Sequence, residues 1–214
     1  MDVPVPTSAK TVPKLEQSKT WSNSSIHEEI EALGLYDSPA QKDLREANMI
    51  AIDDAHCDLI YGLVRAFKPH SVLEFGYGTG KSALAIHRAC TANDQPFRQV
   101  IVDNWVDWGG SPPSDLLRNF VTTADEEDFV RTTDQKFDFI LCDADHQKTD
   151  KYWRRIYFHL LNRSGIVLFH DVTNPDYPNL QAIVDESVQL NQALFNMNSQ
   201  PNERCDRGLL ALFK

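Results

Sequence analysis

Two short blocks of this chain hold residues able to move protons or grip a cation: Asp143-Ala-Asp145-His146 and His170-Asp171. Each follows an apolar run, Phe139-Ile-Leu-Cys142 and Ile166-Val-Leu-Phe169, that reads as a buried strand. The residues between them suffice for one helix and a return strand, which puts the blocks on adjacent strand ends. Oxygen ligands from Asp143 and Asp171, with His170 alongside, suit Mg²⁺, Mn²⁺ or Ca²⁺. His146 or Asp145 can act as a base, and a histidine needs little tuning to do so near neutral pH. His146 alternatively caps the helix that follows it.

A third block is Ser71-Val-Leu-Glu74-Phe-Gly76-Tyr77-Gly78-Thr-Gly80. A strand ends in a loop with glycine at alternate positions, so a ligand can lie against bare backbone. The spacing excludes two nucleotide-binding patterns. A P-loop ending at Gly80-Lys81-Ser82 needs glycine where Phe75 stands, and a dinucleotide fingerprint beginning at Gly76 needs glycine where Lys81 stands. Glu74, Asp103, Asp125, Asp143 and Asp171 all sit at or just past strand ends. One acid there is an ordinary turn former. Five converging on one sheet edge call for a cationic ligand or a metal to offset their repulsion.

The elements that position these residues alternate. Strands are expected at 71–75, 98–102, 120–123, 138–142 and 166–169. Helices are expected from Gly80 to Cys90, from Ser114, from Asp125, over 148–162 and over 178–190. Apolar segments at 193–197 and 208–213 read as a closing hairpin. Such alternation implies an α/β chain with a parallel sheet and right-handed crossovers. Residues 1–24, rich in Pro, Ser and Thr, read as a flexible arm able to pack on a second subunit. Residues 25–69 read as a helical cap and 70–214 as the core of a single domain. In the cap, Leu44, Ala47, Ala51, Ala55, Leu59, Leu63 and Phe67 share one helix side.

The net charge of -10 argues against binding a phosphate backbone. No apolar run reaches membrane-spanning length. Cys57, Cys90, Cys142 and Cys205 are scattered, and no basic-then-apolar leader is visible, which suits reduced thiols in a cytoplasmic protein.

Glu74-x-Gly76-x-Gly78-x-Gly80 resembles the first motif of class I S-adenosylmethionine-dependent methyltransferases. Asp-Ala-Asp-His and His-Asp-Val172, with Val102-Asp-Asn104-Trp105, resemble methyltransferase family 24 and the catechol and caffeoyl-coenzyme A O-methyltransferases. The resemblance spans about residues 70–175. It implies a Rossmann-like methyltransferase fold: a mostly parallel seven-stranded sheet, helices on both faces and a C-terminal antiparallel hairpin. It implies S-adenosylmethionine held by Glu74, Gly76, Tyr77, Gly78, Gly80, Asp103, Asn104, Asp125 and Asp143. Asp103 would serve the ribose and Asp125 the adenine. A small hydroxylated acceptor and a divalent cation on Asp143, His170 and Asp171 complete the set. Trp105, Trp108 and the Gly109–Pro113 loop would wall the acceptor pocket. The chain departs from the catechol type in two places: His170-Asp171 stands for Asp-Asn, and His146 stands where a lysine base is usual. A hydroxylase-like enzyme on the same scaffold and an inactive cofactor-binding module remain open readings.

Overall fold

Apolar runs covered on both faces become the inner strands of one sheet. The computed structural model describes residue 52 and residues 54–78, 80–104, 117, 119–144, 146–195 and 207–214. The expected arm, the earlier cap helices, Trp105, Trp108, the Gly109–Pro113 loop, Asp145 and Cys205 lie outside the described residues. So does nearly all of the helix expected from Ser114.

In chain order the elements are α1 (Asp54–Phe67), β1 (Ser71–Phe75), α2 (Lys81–Ala92), β2 (Arg98–Asp103), β3 (Val121–Thr123), α3 (Glu126–Thr132), β4 (Phe137–Cys142), α4 (Thr149–Arg155), β5 (Leu161–His170), α5 (Gln181–Glu186), β6 (Asn191–Phe195) and β7 (Leu209–Phe213). The seven strands form one sheet in the order β3-β2-β1-β4-β5-β7-β6. β1 to β5 pair in parallel, and β7 joins antiparallel between β5 and β6. This is the expected α/β architecture with its closing hairpin.

Strand alternation divides the core into two layers. Val72, Ile101, Phe139, Leu141, Ile166 and Leu168 face one layer, with Cys57, Ile60 and Val64 of α1 and the apolar side of α2. Leu73, Phe75, Val102, Ile140, Cys142, Val167 and Phe169 face the other, with Val130, Tyr152, Trp153, Ile156 and Ile183. Every side chain named here is buried.

Three local expectations need correction. The buried side of α1 runs through His56, Cys57, Ile60 and Val64, and Phe67 is 40% exposed. The buried side is rotated from the one chosen from sequence, and it packs on α2, where Cys57 Sγ donates to the Lys81 carbonyl at 3.7 Å. The helix expected over 148–162 ends its α-form at Arg155, passes through a π-helical turn, Ile156–Leu160, and enters β5 directly. β5 thus begins at Leu161, within the expected helix, and Lys214 Nζ caps the carbonyls of Tyr157, Phe158 and Leu161 at this junction. The helix expected over 178–190 is a 3₁₀ turn, Pro178–Leu180, followed by α5.

Candidate active site

The carboxyl ends of β2, β1, β4 and β5 lie side by side and carry Asp103, Glu74, Asp143 and Asp171. In sheets of this kind ligands bind beyond that edge. Backbone bonds lace its loops together: Gly76 N–H donates to the Val102 carbonyl at 2.9 Å and Asp143 N–H to the Phe75 carbonyl at 3.0 Å.

Gly76, Gly78 and Gly80 have φ of 87°, 51° and 79°, a region that L-residues with a Cβ rarely enter. A methyl group at Gly76 would also overlap the Asp143 carbonyl, and one at Gly80 the Tyr77 phenol. Tyr77 is buried beneath its own loop, and its N–H donates to Asp103 Oδ2 at 2.7 Å. Asp103 therefore fixes the glycine loop as well as closing β2. Asn104 follows it, half-buried. Asp125 caps α3, its Oδ1 accepting from Asp128 N–H at 3.2 Å, as an N-cap aspartate does.

Glu74 is fully buried. Its Oε1 accepts from Ser82 Oγ at 2.5 Å, and its Oε2 has no hydrogen-bond partner among the described residues. Burial, opposed by the Ser82 bond and reinforced by the charges of Asp143 and Asp103, pushes its carboxyl up to about 8.

On the other half of the edge, Asp143, His146 and Asp171 each offer an atom, all within 4.8 Å of one another. His146 Nε2 is 3.2 Å from Asp171 Oδ2 and 3.8 Å from Asp143 Oδ1. Asp171 reaches this position through a φ of 61°, unusual for a residue with a side chain. The sequence reading groups His170 with the two aspartates as a ligand, and the structure puts His146 in that place. As the last residue of β5, His170 points with Ile166 and Leu168 toward α1. Its Nδ1 is 2.9 Å from Asp143 Oδ1 and its Nε2 is 3.0 Å from Nδ1 of His56. Both ring nitrogens are thus engaged behind the carboxylates. Burial works to lower its pKa, but the charge and hydrogen bonds of Asp143 and Asp171 carry it up to about 10. For Asp171, burial is outweighed by the bonds from His146 and His170, and its pKa is lowered.

Sequence reasoning missed three contributors. His56 stands on a helix read for its apolar side. Tyr177 packs its ring against His146 at 4.6 Å between centroids. Asn179 Nδ2 donates to the His146 carbonyl at 2.7 Å and to Asp150 Oδ1 at 2.9 Å. No spacing rule flags these last two: Tyr177 precedes the short 3₁₀ turn and Asn179 lies within it.

Residues 73–172 match a family model described as a methyltransferase domain. That segment, just under half of the chain, is similar to a methyltransferase domain. Its boundaries enclose the glycine loop, Asp103, Asp143, His146, His170 and Asp171. Solved structures with the same fold include an O-methyltransferase from Bacillus cereus in complex with SAH, 16% identical, TM-score 0.62, covering 89% of this chain and 91% of that one. An O-methyltransferase of tomaymycin synthesis from Streptomyces achromogenes, in complex with SAM, is 18% identical with TM-score 0.57, covering 88% and 96%. An SAH-bound methyltransferase from Podospora anserina is 17% identical with TM-score 0.56, covering 92% and 99%. At these identities the likeness establishes the fold. No curated protein matches the sequence. No helix among the described residues is long and apolar enough to cross a membrane.

Proposed function

We propose that the chain is an S-adenosylmethionine-dependent O-methyltransferase that acts on a small hydroxylated molecule. The observation that carries this is Glu74: a fully buried carboxyl with one bare oxygen, set under a positive-φ glycine loop and beside two further carboxylates. A cationic nucleoside fits such a cradle, since its positive charge offsets what burial and repulsion cost. Gly76, Tyr77, Gly78 and Gly80 line it with backbone, and Asp103 and Asn104 border it. The SAM and SAH complexes of the similarly folded proteins support that cofactor. When bound, it supplies an electrophilic methyl group.

The protein's own part is positioning and proton removal. His146, steadied by Asn179 and Tyr177 and turned toward Asp171, takes the proton from the acceptor hydroxyl. Asp143 and Asp171 stabilise the imidazolium that results. Holding oxygen and methyl group at reacting distance supplies most of the remaining acceleration. A second reading has a specific observation behind it. The donor set Asp143, His146 and Asp171 also fits a divalent cation, which would lower the pKa of a bound hydroxyl. The acidic balance of the chain favours a small acceptor over nucleic acid. The buried thiols of Cys57, Cys90 and Cys142, none of them in a disulfide, support a reducing, cytoplasmic setting.

The test is transfer of a labelled methyl group from S-adenosylmethionine to a panel of phenols, sugars and polyketides. Turnover by the wild type and its loss in His146→Ala are expected with or without chelator. Loss on chelation alone selects the cation reading. No transfer to any hydroxyl, with transfer to nitrogen or sulfur acceptors, would refute O-methylation.

A further inference from the structure

Helix α1 carries a histidine outside the matched domain that the methyl-transfer reading leaves unused. His56 is fully buried. Its Nδ1 lies 3.0 Å from His170 Nε2, and the rings meet edge to face, 5.0 Å between centroids at 84°. The two residues are 114 positions apart. α1 is held at this height by α2: Lys81 Nζ donates to the Ile52 carbonyl at 2.9 Å, and Cys57 Sγ to the Lys81 carbonyl at 3.7 Å. We infer that His56 is a positioning residue, which sets the ring of His170 and, through it, the carboxylate of Asp143 on the acceptor side of the site. This rests on the reading of the site given above.

The chemistry favours histidine at position 56. His170 Nδ1 faces two carboxylate acceptors, Asp143 Oδ1 at 2.9 Å and Asp171 Oδ2 at 3.3 Å, so it carries the proton. His170 Nε2 is then an acceptor in the neutral ring and a donor in the imidazolium. His56 Nδ1 answers either state by changing tautomer. A side chain with no polar atom there would strand a buried ring nitrogen, and His170 would turn to satisfy it.

The arrangement has a closed and an open side. The His170 side chain is 1% exposed, whereas those of Asp143 and His146 are each 19% exposed. The histidine pair grips Asp143 from the core side and leaves its solvent side to His146 and the acceptor. Partners that orient a carboxylate from behind in this way govern its function without touching the substrate.

The test uses the full chain with ¹⁵N-labelled histidine. The wild type should show a slowly exchanging imidazole N–H resonance, assigned to His170 by its loss in His170→Gln. His56→Asn, whose amide can donate or accept near the Nδ1 position, should preserve it. His56→Phe should speed its exchange by about tenfold, the worth of one ordinary hydrogen bond. Calorimetry should find S-adenosylmethionine affinity within about twofold of wild type in both, since neither substitution touches the glycine loop. His56→Met repeats the experiment if the phenylalanine variant does not fold. Absence of the resonance in the wild type overturns the proposal, as does its persistence in both apolar variants. Equal loss in His56→Asn and His56→Phe would mean that shape alone matters, and would overturn it too. A parallel fall in cofactor affinity would show that the effect is not confined to Asp143, and would likewise overturn it. Failure of the wild type to bind S-adenosylmethionine would instead sink the functional reading, and the resonance would still decide the role of His56.

Discussion

The paired strands β1 and β4 carry a carboxyl group near each end, and the two are treated in opposite ways. At the amino end, Asp138 Oδ2 accepts from His70 N–H, Ser71 N–H and Ser71 Oγ at 3.0, 2.9 and 2.9 Å, and Oδ1 accepts from Asn162 Nδ2 at 2.7 Å. Those bonds overcome the effect of burial and lower its pKa. At the carboxyl end, Glu74 has one bond and one bare oxygen, and its carboxyl is pushed up to about 8. Asp138 ties three strands together at a finished joint. Glu74 is left unfinished, which is what the proposed cationic ligand requires. Of these two carboxyls, the satisfied one stands at the amino end of the strands and the unsatisfied one at the edge where ligands bind in such sheets.

The largest expected effect lies at the finished end. Asp138→Ala removes four hydrogen bonds and strands their donors, and should lower urea-measured stability by about 3 kcal/mol. Cofactor affinity should not follow. If affinity falls as far as stability, the two ends are not independent.

Glu74→Gln should act in the opposite direction, by about 2 kcal/mol in alkaline solution. The sign follows from the raised pKa. Between its ordinary value of 4.5 and about 8, the folded protein keeps a proton that the unfolded chain releases. Stability is therefore full below that window and falls as pH rises through it. His170, carried from 6.5 to about 10, adds a further loss over its own window. Wild-type stability should decline from pH 5 to 9 in urea titrations, and the variant should be flatter up to pH 8. Identical slopes would show that Glu74 is ionised in the fold.

The smallest effect belongs to Asp125, which sharpens the division of labour within the edge. Asp125→Ala removes an N-cap and should cost about 1 kcal/mol. If the cap is its whole role, calorimetry should show unchanged cofactor affinity. A marked loss would restore the adenine contact implied by the family resemblance.

The sheet and its glycine loop were legible because they are local. Glu74 to Gly80 must turn a strand into a helix within a few residues, and glycine takes the positive φ values found there at least cost. Asp143 and Asp171 were legible because apolar runs end immediately before them. The role of His170 was not, because it depends on which face of β5 it takes and on a helix 114 residues away. The early start of β5 was hidden by Asn162-Arg-Ser-Gly165, a turn-like sequence kept in the strand by Lys214. Asp138 was passed over as an ordinary residue within a strand, since its donors come from two distant segments, His70-Ser71 and Asn162.

The central claim is that a cationic nucleoside completes the unfinished carboxyl under the glycine loop. Calorimetric titration of S-adenosylmethionine into the wild type and Glu74→Gln at one pH tests it most directly. The account predicts binding to the wild type and about tenfold weaker binding to the variant, the difference that one buried charge-assisted contact makes. Equal affinities, or no binding to the wild type, would contradict it.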